Sequence, residues 1–149
     1  EGNPFPENIL KSIIYTTEND TIKLNDIILE NKGKIIYVEF WASWCKPCIA
    51  EIPYANELTK KFENDEIVFI RFSTDEKNED WIKALQKYEL EGLNYRIEKE
   101  SKSEIQDYLN IKGIPYIIIL DKNGNIANKK AKYPSNSKAE SEIINLLND

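Results

Sequence analysis

Apolar positions along the chain change period several times, and each change marks a boundary between elements. The run Ile35-Ile36-Tyr37-Val38-Glu39-Phe40-Trp41 is almost continuously apolar. That pattern suits a central strand buried on both faces of a parallel sheet. From residue 47 to residue 62 the spacing turns helical, with Ile49, Ile52, Leu58 and Phe62 able to face a core. Pro53 falls inside that helix and is expected to kink it. Residues 66–72, rich in β-branched and aromatic side chains, read as a second core strand. Trp81, Leu85 and Tyr88 recur at helical spacing and predict a helix over 80–88. A short strand is predicted at 93–97. A short helix at 103–109 should carry Ile105, Tyr108 and Leu109 inward.

Towards the C-terminus, a strand at 116–121 meets the turn Lys122-Asn123-Gly124-Asn125. Its Asn-Gly pair signals a hairpin into a partner strand at 126–132. Ser137 with Glu140 has the spacing of a capping box, opening a last helix with Ala139, Ile143, Ile144 and Leu147 inward. At the other end, residues 1–11 contain two prolines and no periodicity, and read as a loose lead-in. Strands at 12–16 and 21–24 flank the turn Glu18-Asn19-Asp20, and residues 25–30 form a helical turn ended at Gly33. No internal repeat, low-complexity linker or domain boundary interrupts residues 1–149, so one α/β domain is expected. The order β, α, β, α, (β), α, β, β, α predicts a three-layer sandwich with helices on both faces of a mixed central sheet.

Composition narrows the chemistry. Hydrophobic residues make up 41% and charged residues 31%, which suits a globular chain. The net charge of −6 argues against nucleic acid as a partner. The short run Lys129, Lys130, Lys132 does not alter that balance and reads as a solvated strand or loop. There is no histidine, which removes Ser-His and Cys-His nucleophilic pairs, histidine acid-base catalysis and most metal sites. No stretch is long enough to cross a membrane, and no signal peptide is visible. The chain also lacks methionine, so it is read as a processed product or an excised domain.

Two cysteines remain, both in Trp41-Ala42-Ser43-Trp44-Cys45-Lys46-Pro47-Cys48. A disulfide scaffold needs more cysteines, and a zinc site needs more ligands. A lone C-x-x-C between a strand and a helix is the arrangement of a dithiol that cycles; the plainer readings are two core cysteines or a structural bridge. Cys45 falls at or just before a helix N-terminus, where unpaired N–H groups and the helix dipole favour a thiolate. Lys46 adds a cation nearby, or simply solvates the surface. Pro47 fits the first helical turn, where its missing N–H costs nothing. Cys45 is therefore the expected nucleophile, and Cys48, one turn into the helix, the resolving thiol.

With these residues in place, the chain resembles the thioredoxin-fold proteins over nearly its whole length. Glu39-Phe40-Trp41-Ala42-Ser43-Trp44-Cys45-Lys46-Pro47-Cys48 matches their active-site signature, Pro53 their kinking proline, and Gly113-Ile114-Pro115 their cis-proline loop. Within that superfamily it resembles the TlpA/ResA type of bacterial cell-envelope thiol-disulfide oxidoreductase. Glu39 stands where ordinary thioredoxins have aspartate, an extra helix and strand precede Pro115, and an extra hairpin precedes Lys32-Gly33-Lys34. Lys46 and Ile114 are departures at positions that tune redox poise, so they bear on the direction of electron flow.

The resemblance implies several roles. Glu39, a carboxylate in an apolar strand, would accept the proton of Cys48; an edge-facing Glu is the plainer alternative. Pro115 would be cis and would turn the backbone of Ile114 towards Cys45, offering an N–H and a C=O to an extended substrate. Trp41, Trp44, Ile114 and Tyr116 would form an apolar rim. Trp44 is the most exposed of these in prospect and Trp41 the best candidate for packing, while Trp81 and Tyr88 read as core. Substrate contacts are thus assigned to Trp44, Ile114, Pro115 and Tyr116, and redox tuning to Lys46 and Pro47. The acidic run Asp75, Glu76, Glu79, Asp80 reads as a solvated helix start, with partner docking as the alternative.

The expected activity is thiol-disulfide exchange with protein disulfides, as a reductant in the periplasm or cell envelope. The redox-active Cys45–Cys48 pair would serve with no cofactor or metal. Partners would be protein thiols and disulfides plus an upstream electron donor, with no nucleic acid, no membrane segment in this chain, and a monomeric state. Three other readings compete. A peroxiredoxin-like peroxidase needs Thr or Ser three residues before its cysteine, where Ala42 stands. A non-catalytic binding or assembly module has no need of both sulfurs. A dithiol carrying a soft metal ion lacks a third ligand.

Overall fold

The computed structural model describes residues 3–149. Seven strands form one mixed sheet in the order β2-β1-β5-β4-β3-β6-β7. The central strand β3 (Ile35–Trp41) is buried throughout, as its unbroken apolar run requires. It pairs in parallel with β4 (Ile67–Ser73), and β4 with β5 (Leu93–Ile97). On its other side β3 runs antiparallel to β6 (Tyr116–Leu120), which turns into β7 (Ile126–Asn128). The hairpin β1 (Ile13–Tyr15) and β2 (Thr21–Lys23) extends the sheet by antiparallel pairing of β1 with β5. The three-layer mixed architecture read from the sequence is the one found, with the N-terminal hairpin and central insertion in place.

Alternate residues of β3 and β4 feed two cores, because side chains alternate across a sheet. Ile36, Val38, Phe40, Ile70 and Phe72 pack with Leu24 and Ile27, with Ile105 and Leu109, and with Ile9. Those partners come from α2 (Leu24–Glu30), α5 (Lys99–Leu109) and α1 (Glu7–Leu10). On the opposite face, Ile35, Tyr37 and Phe69 meet Leu58 and Phe62, together with Ala139 and Ile143. These belong to α3 (Lys46–Lys61) with its C-cap, and to α6 (Ala139–Leu147). A third cluster joins Trp41, Ala42, Cys45 and Cys48 to Trp81 and Ala84 of α4 (Asn78–Tyr88).

Several local expectations are corrected. The stretch 1–11 is not a loose lead-in where it is described: Glu7–Leu10 is helical, Ile9 is buried, and Asn3 bridges to Ile126. One helical turn is too short to show a period, so only its tertiary contacts reveal it. The capping box at Ser137 does not form. The last helix starts at Ala139 with Lys138 as N-cap and no side-chain cap bond. Tyr108 and Ile144, expected inward, are each 42% exposed. The strand after the Asn-Gly turn ends at Asn128 rather than at residue 132.

Candidate functional site

The C-terminal end of the central strand β3 places Trp41 beneath the site, and the next turn carries the chain into α3. Cys45 is the N-cap of that helix, and its Sγ accepts the backbone N–H of Cys48 at 3.2 Å. A sulfur thus does what a Ser or Thr oxygen does at an ordinary N-cap. Pro47 occupies the first turn, where no intrahelical partner exists for an N–H. Cys45 and Cys48 are joined as a disulfide. Cys45 is 5% exposed and Cys48 is fully buried, so an incoming sulfur can reach only Cys45.

The loop before β6 faces the pair. The Ile114-Pro115 peptide is cis, and the Ile114 carbonyl oxygen lies 3.7 Å from Cys45 Sγ. The Ile114 N–H donates to no group among the described residues. Trp44 is 69% exposed beside the cysteines, whereas Trp41 is buried beneath them. Ile114 packs against the cluster that holds both cysteines, with Trp41 as its floor, whereas Tyr116 packs against the larger core and donates its hydroxyl to the Lys129 carbonyl. Lys46 and Pro47 are exposed on the first turn of α3.

Glu39 is buried on the α3 face of the sheet, not at an edge. The parallel register sets it directly beside Arg71, and Oε1 lies 3.7 Å from Arg71 Nε. Burial pushes the Glu39 carboxyl above the ordinary carboxylate range, Arg71 pulls it back, and the charge of Glu51 adds to the rise. Burial likewise lowers the Arg71 guanidinium, against the pull of Glu39. A cavity of about 10 Å³ under Ala55 and Thr59 touches Glu39 and Arg71. No hydrogen bond joins Glu39 to Cys48 among the described residues.

Two residues escaped the sequence reading. Arg71 was hidden inside an apolar strand, and only the register reveals its partner. Asp75 was grouped with a solvated acidic run, yet it is buried. It accepts the Ser43 N–H at 3.1 Å, the Ser43 hydroxyl at 2.6 Å and the Ser73 hydroxyl. Thr74 adds bonds from its N–H and hydroxyl to the Trp41 carbonyl. Together they clamp the turn that leads into Cys45. The remaining members of that run, Glu76, Glu79 and Asp80, stay at or near the surface.

A mixed sheet that presents a C-x-x-C pair at a helix N-terminus, opposite a cis-proline, defines the class of thioredoxin-fold dithiol proteins. The thioredoxin-like family model matches residues 33–126, and the chain belongs to that family. It is 28% identical over 114 residues to the thiol-disulfide oxidoreductase ResA of Bacillus thuringiensis. That match covers 76% of this chain and spans 62% of the relative. It is 32% identical over 125 residues to the thioredoxin-like protein YneN of Bacillus subtilis, covering 83% of this chain and 67% of the relative. The crystal structure of a candidate thiol-disulfide oxidoreductase from Bacteroides vulgatus superposes with a TM-score of 0.77 at 30% identity. That superposition covers 95% of this chain and 99% of the other. The likeness to ResA read from the sequence is thus matched by the relatives themselves.

Proposed function

We propose that the chain is a thiol-disulfide oxidoreductase domain that reduces protein disulfides through Cys45 and Cys48. The observation that carries this reading is Cys45 Sγ at the N-cap of α3, accepting the Cys48 N–H at 3.2 Å. That bond and the helix N-terminus favour a thiolate over a thiol. The Cys45 thiolate attacks one sulfur of a substrate disulfide. A mixed disulfide forms, and the other substrate sulfur leaves as a thiolate. Cys48 then attacks Cys45 Sγ, and the second substrate thiolate leaves. Two electrons pass from the protein dithiol to the substrate, and Cys45–Cys48 becomes the disulfide. A dithiol donor must return those electrons for the next cycle.

Glu39 is assigned as the acceptor of the Cys48 proton, because a carboxyl raised by burial is matched to a thiol better than an ordinary one. Ile114 supplies backbone groups to an extended substrate, with Trp44, Pro115 and Tyr116 around them. Lys46 and Pro47 tune the potential at the helix start. The redox centre is the cysteine pair itself. The reading extends to the bacterial cell envelope through the likeness to the ResA type.

Equilibration of Cys45/Cys48 with glutathione or dithiothreitol buffers measures the reduction potential. A value near about −270 mV is expected for a reductant, and one near about −120 mV would make the domain an oxidant. A Cys48→Ser variant should hold its substrates on Cys45 as mixed disulfides. Recovery of none from the native compartment, with a pair that does not cycle, would replace this reading with that of a non-catalytic binding module.

A further inference from the structure

Two grooves flank the loop that ends at Ile114, and both share Lys112, Gly113 and Ile114. They differ in charge. The first, about 490 Å³, is lined by Asp75, Glu76 and Asp80 as well as by Lys77 and Lys102. The second, about 900 Å³, is lined by Lys112, Lys129 and Lys130, and no carboxylate lines it among the described residues. Tyr108, Tyr116 and Tyr133 supply its walls. Lys129 and Lys130, a run that reads as solvated loop in the sequence, thus converge with Lys112 from the far side of β6. None of the three lysines makes an ion pair among the described residues.

We propose that this second groove binds an acidic, extended segment flanking the reactive cysteine of a protein substrate, and so selects among substrates. The inference rests on the oxidoreductase reading and names the substrate class of that same site. Charge complementarity carries it. The chain has a net charge of −6, so an acidic partner is repelled by the molecule as a whole. Three lysines in one concavity, none ion-paired among the described residues, reverse that sign locally, beside the Ile114-Pro115 loop. Continuity carries the rest. The groove includes Ile114, whose carbonyl is 3.7 Å from Cys45 Sγ and whose N–H has no partner among the described residues. A strand laid on Ile114 delivers its cysteine to Cys45 and runs its flank past the lysines. Half-exposed Tyr108 and Tyr133 give that flank amphipathic surface to lie on.

The test uses short synthetic peptides, each closed by one intramolecular disulfide and flanked by Asp/Glu, by Ser/Asn or by Lys. Reduced protein is mixed with each in single turnover. Two electrons move from Cys45/Cys48 to the peptide, which becomes a dithiol. Each rate is divided by the rate of dithiothreitol on the same peptide, which removes the intrinsic effect of the flank on its sulfurs. The acidic peptide should react roughly three- to tenfold faster than the neutral one at low salt, as a few rim charge pairs allow. That ratio should shrink as salt is raised, a readout that needs no variant. It should fall to about one in K112Q/K129Q/K130Q and invert with glutamate at the three positions. A ratio near one in the native protein, a preference for the Lys-flanked peptide, or a preference that survives the triple variant each overturns the proposal. Reduction of none of the peptides, the neutral one included, overturns the oxidoreductase reading itself.

Discussion

Glu39 and Arg71 are the two residues whose physics the fold must balance against their chemistry. Each is almost wholly buried, and Arg71 Nη2 finds no hydrogen-bond partner among the described residues. A buried ion pair adds little to stability, but losing one partner strands the other charge, at a cost of about 3–5 kcal/mol. At a pH above the raised folded value of Glu39, where the pair is ionised, Glu39→Gln alone should therefore be strongly destabilising, and E39Q/R71Q should recover most of the loss. Urea unfolding of the three proteins checks this, and additive losses would deny the coupling. The pH dependence has a definite sign. The folded carboxyl of Glu39 lies above its unfolded value, chiefly through burial, so the native state keeps a proton that the unfolded chain releases. Its contribution to stability is lost as pH rises from about 4.3 towards the raised folded value. E39Q/R71Q lacks that decline, so its stability relative to the native chain should climb over this window. Parallel stability curves would show that Glu39 ionises as an ordinary carboxylate. The same double variant tests catalysis without the stranded charge: the pH profile of mixed-disulfide resolution should shift, and an unchanged profile would remove Glu39 from the proton path.

At the scale of elements, caps set where helices begin, and the sequence announced only some of them. Cys45 caps α3 through its sulfur. Glu98 caps α5, accepting the N–H groups of Ser101 at 3.0 Å and Glu100 at 3.1 Å, and these bonds hold its carboxyl below the usual range. Ser101 in turn accepts the Ile13 N–H through its hydroxyl, tying α5 to the N-terminal hairpin. Glu98→Ala should cost about 1 kcal/mol at neutral pH. Because the folded value is depressed, that contribution is present above about pH 4.3 and lost as pH falls through the lower folded value. A thermal melt series should show the gap between the two proteins close in acid, and a constant gap would assign the loss to something other than the carboxylate. The helix at 103–109 was visible from its period, but its start at Lys99 was not, since glutamate is an uncommon cap. Conversely, Ser137 and Glu140 have the letters of a capping box, yet the turn at Asn136 places the helix start at Ala139, beyond Ser137 and with Glu140 already in the first turn. Element type survives such ambiguity because many residues vote on a period, whereas a boundary depends on one or two.

For the whole molecule, the sheet distributes burial to two faces, and residues far apart in the chain complete each one. Ile9 is the clearest case, buried against residues of α2 and α5 in the larger core. Ile9→Ala should cost about 2–4 kcal/mol in denaturant unfolding, whereas a loose lead-in would lose almost nothing. The sequence by itself determined the class of fold, the order of the main strands and helices, and the reactive pair. Apolar period, turn residues and the C-x-x-C spacing are local signals, written within a few residues of one another. It also placed Ile114-Pro115 opposite Cys45, through the likeness to thioredoxins. Only the tertiary structure decided the counter-charge of Glu39, the clamp of Asp75 on Ser43, and the basic groove beside the cis-proline. Each of these joins residues from separate strands or loops. Strand register and chain crossing bring them within bonding distance, and neither leaves a mark on the spacing of letters along one segment.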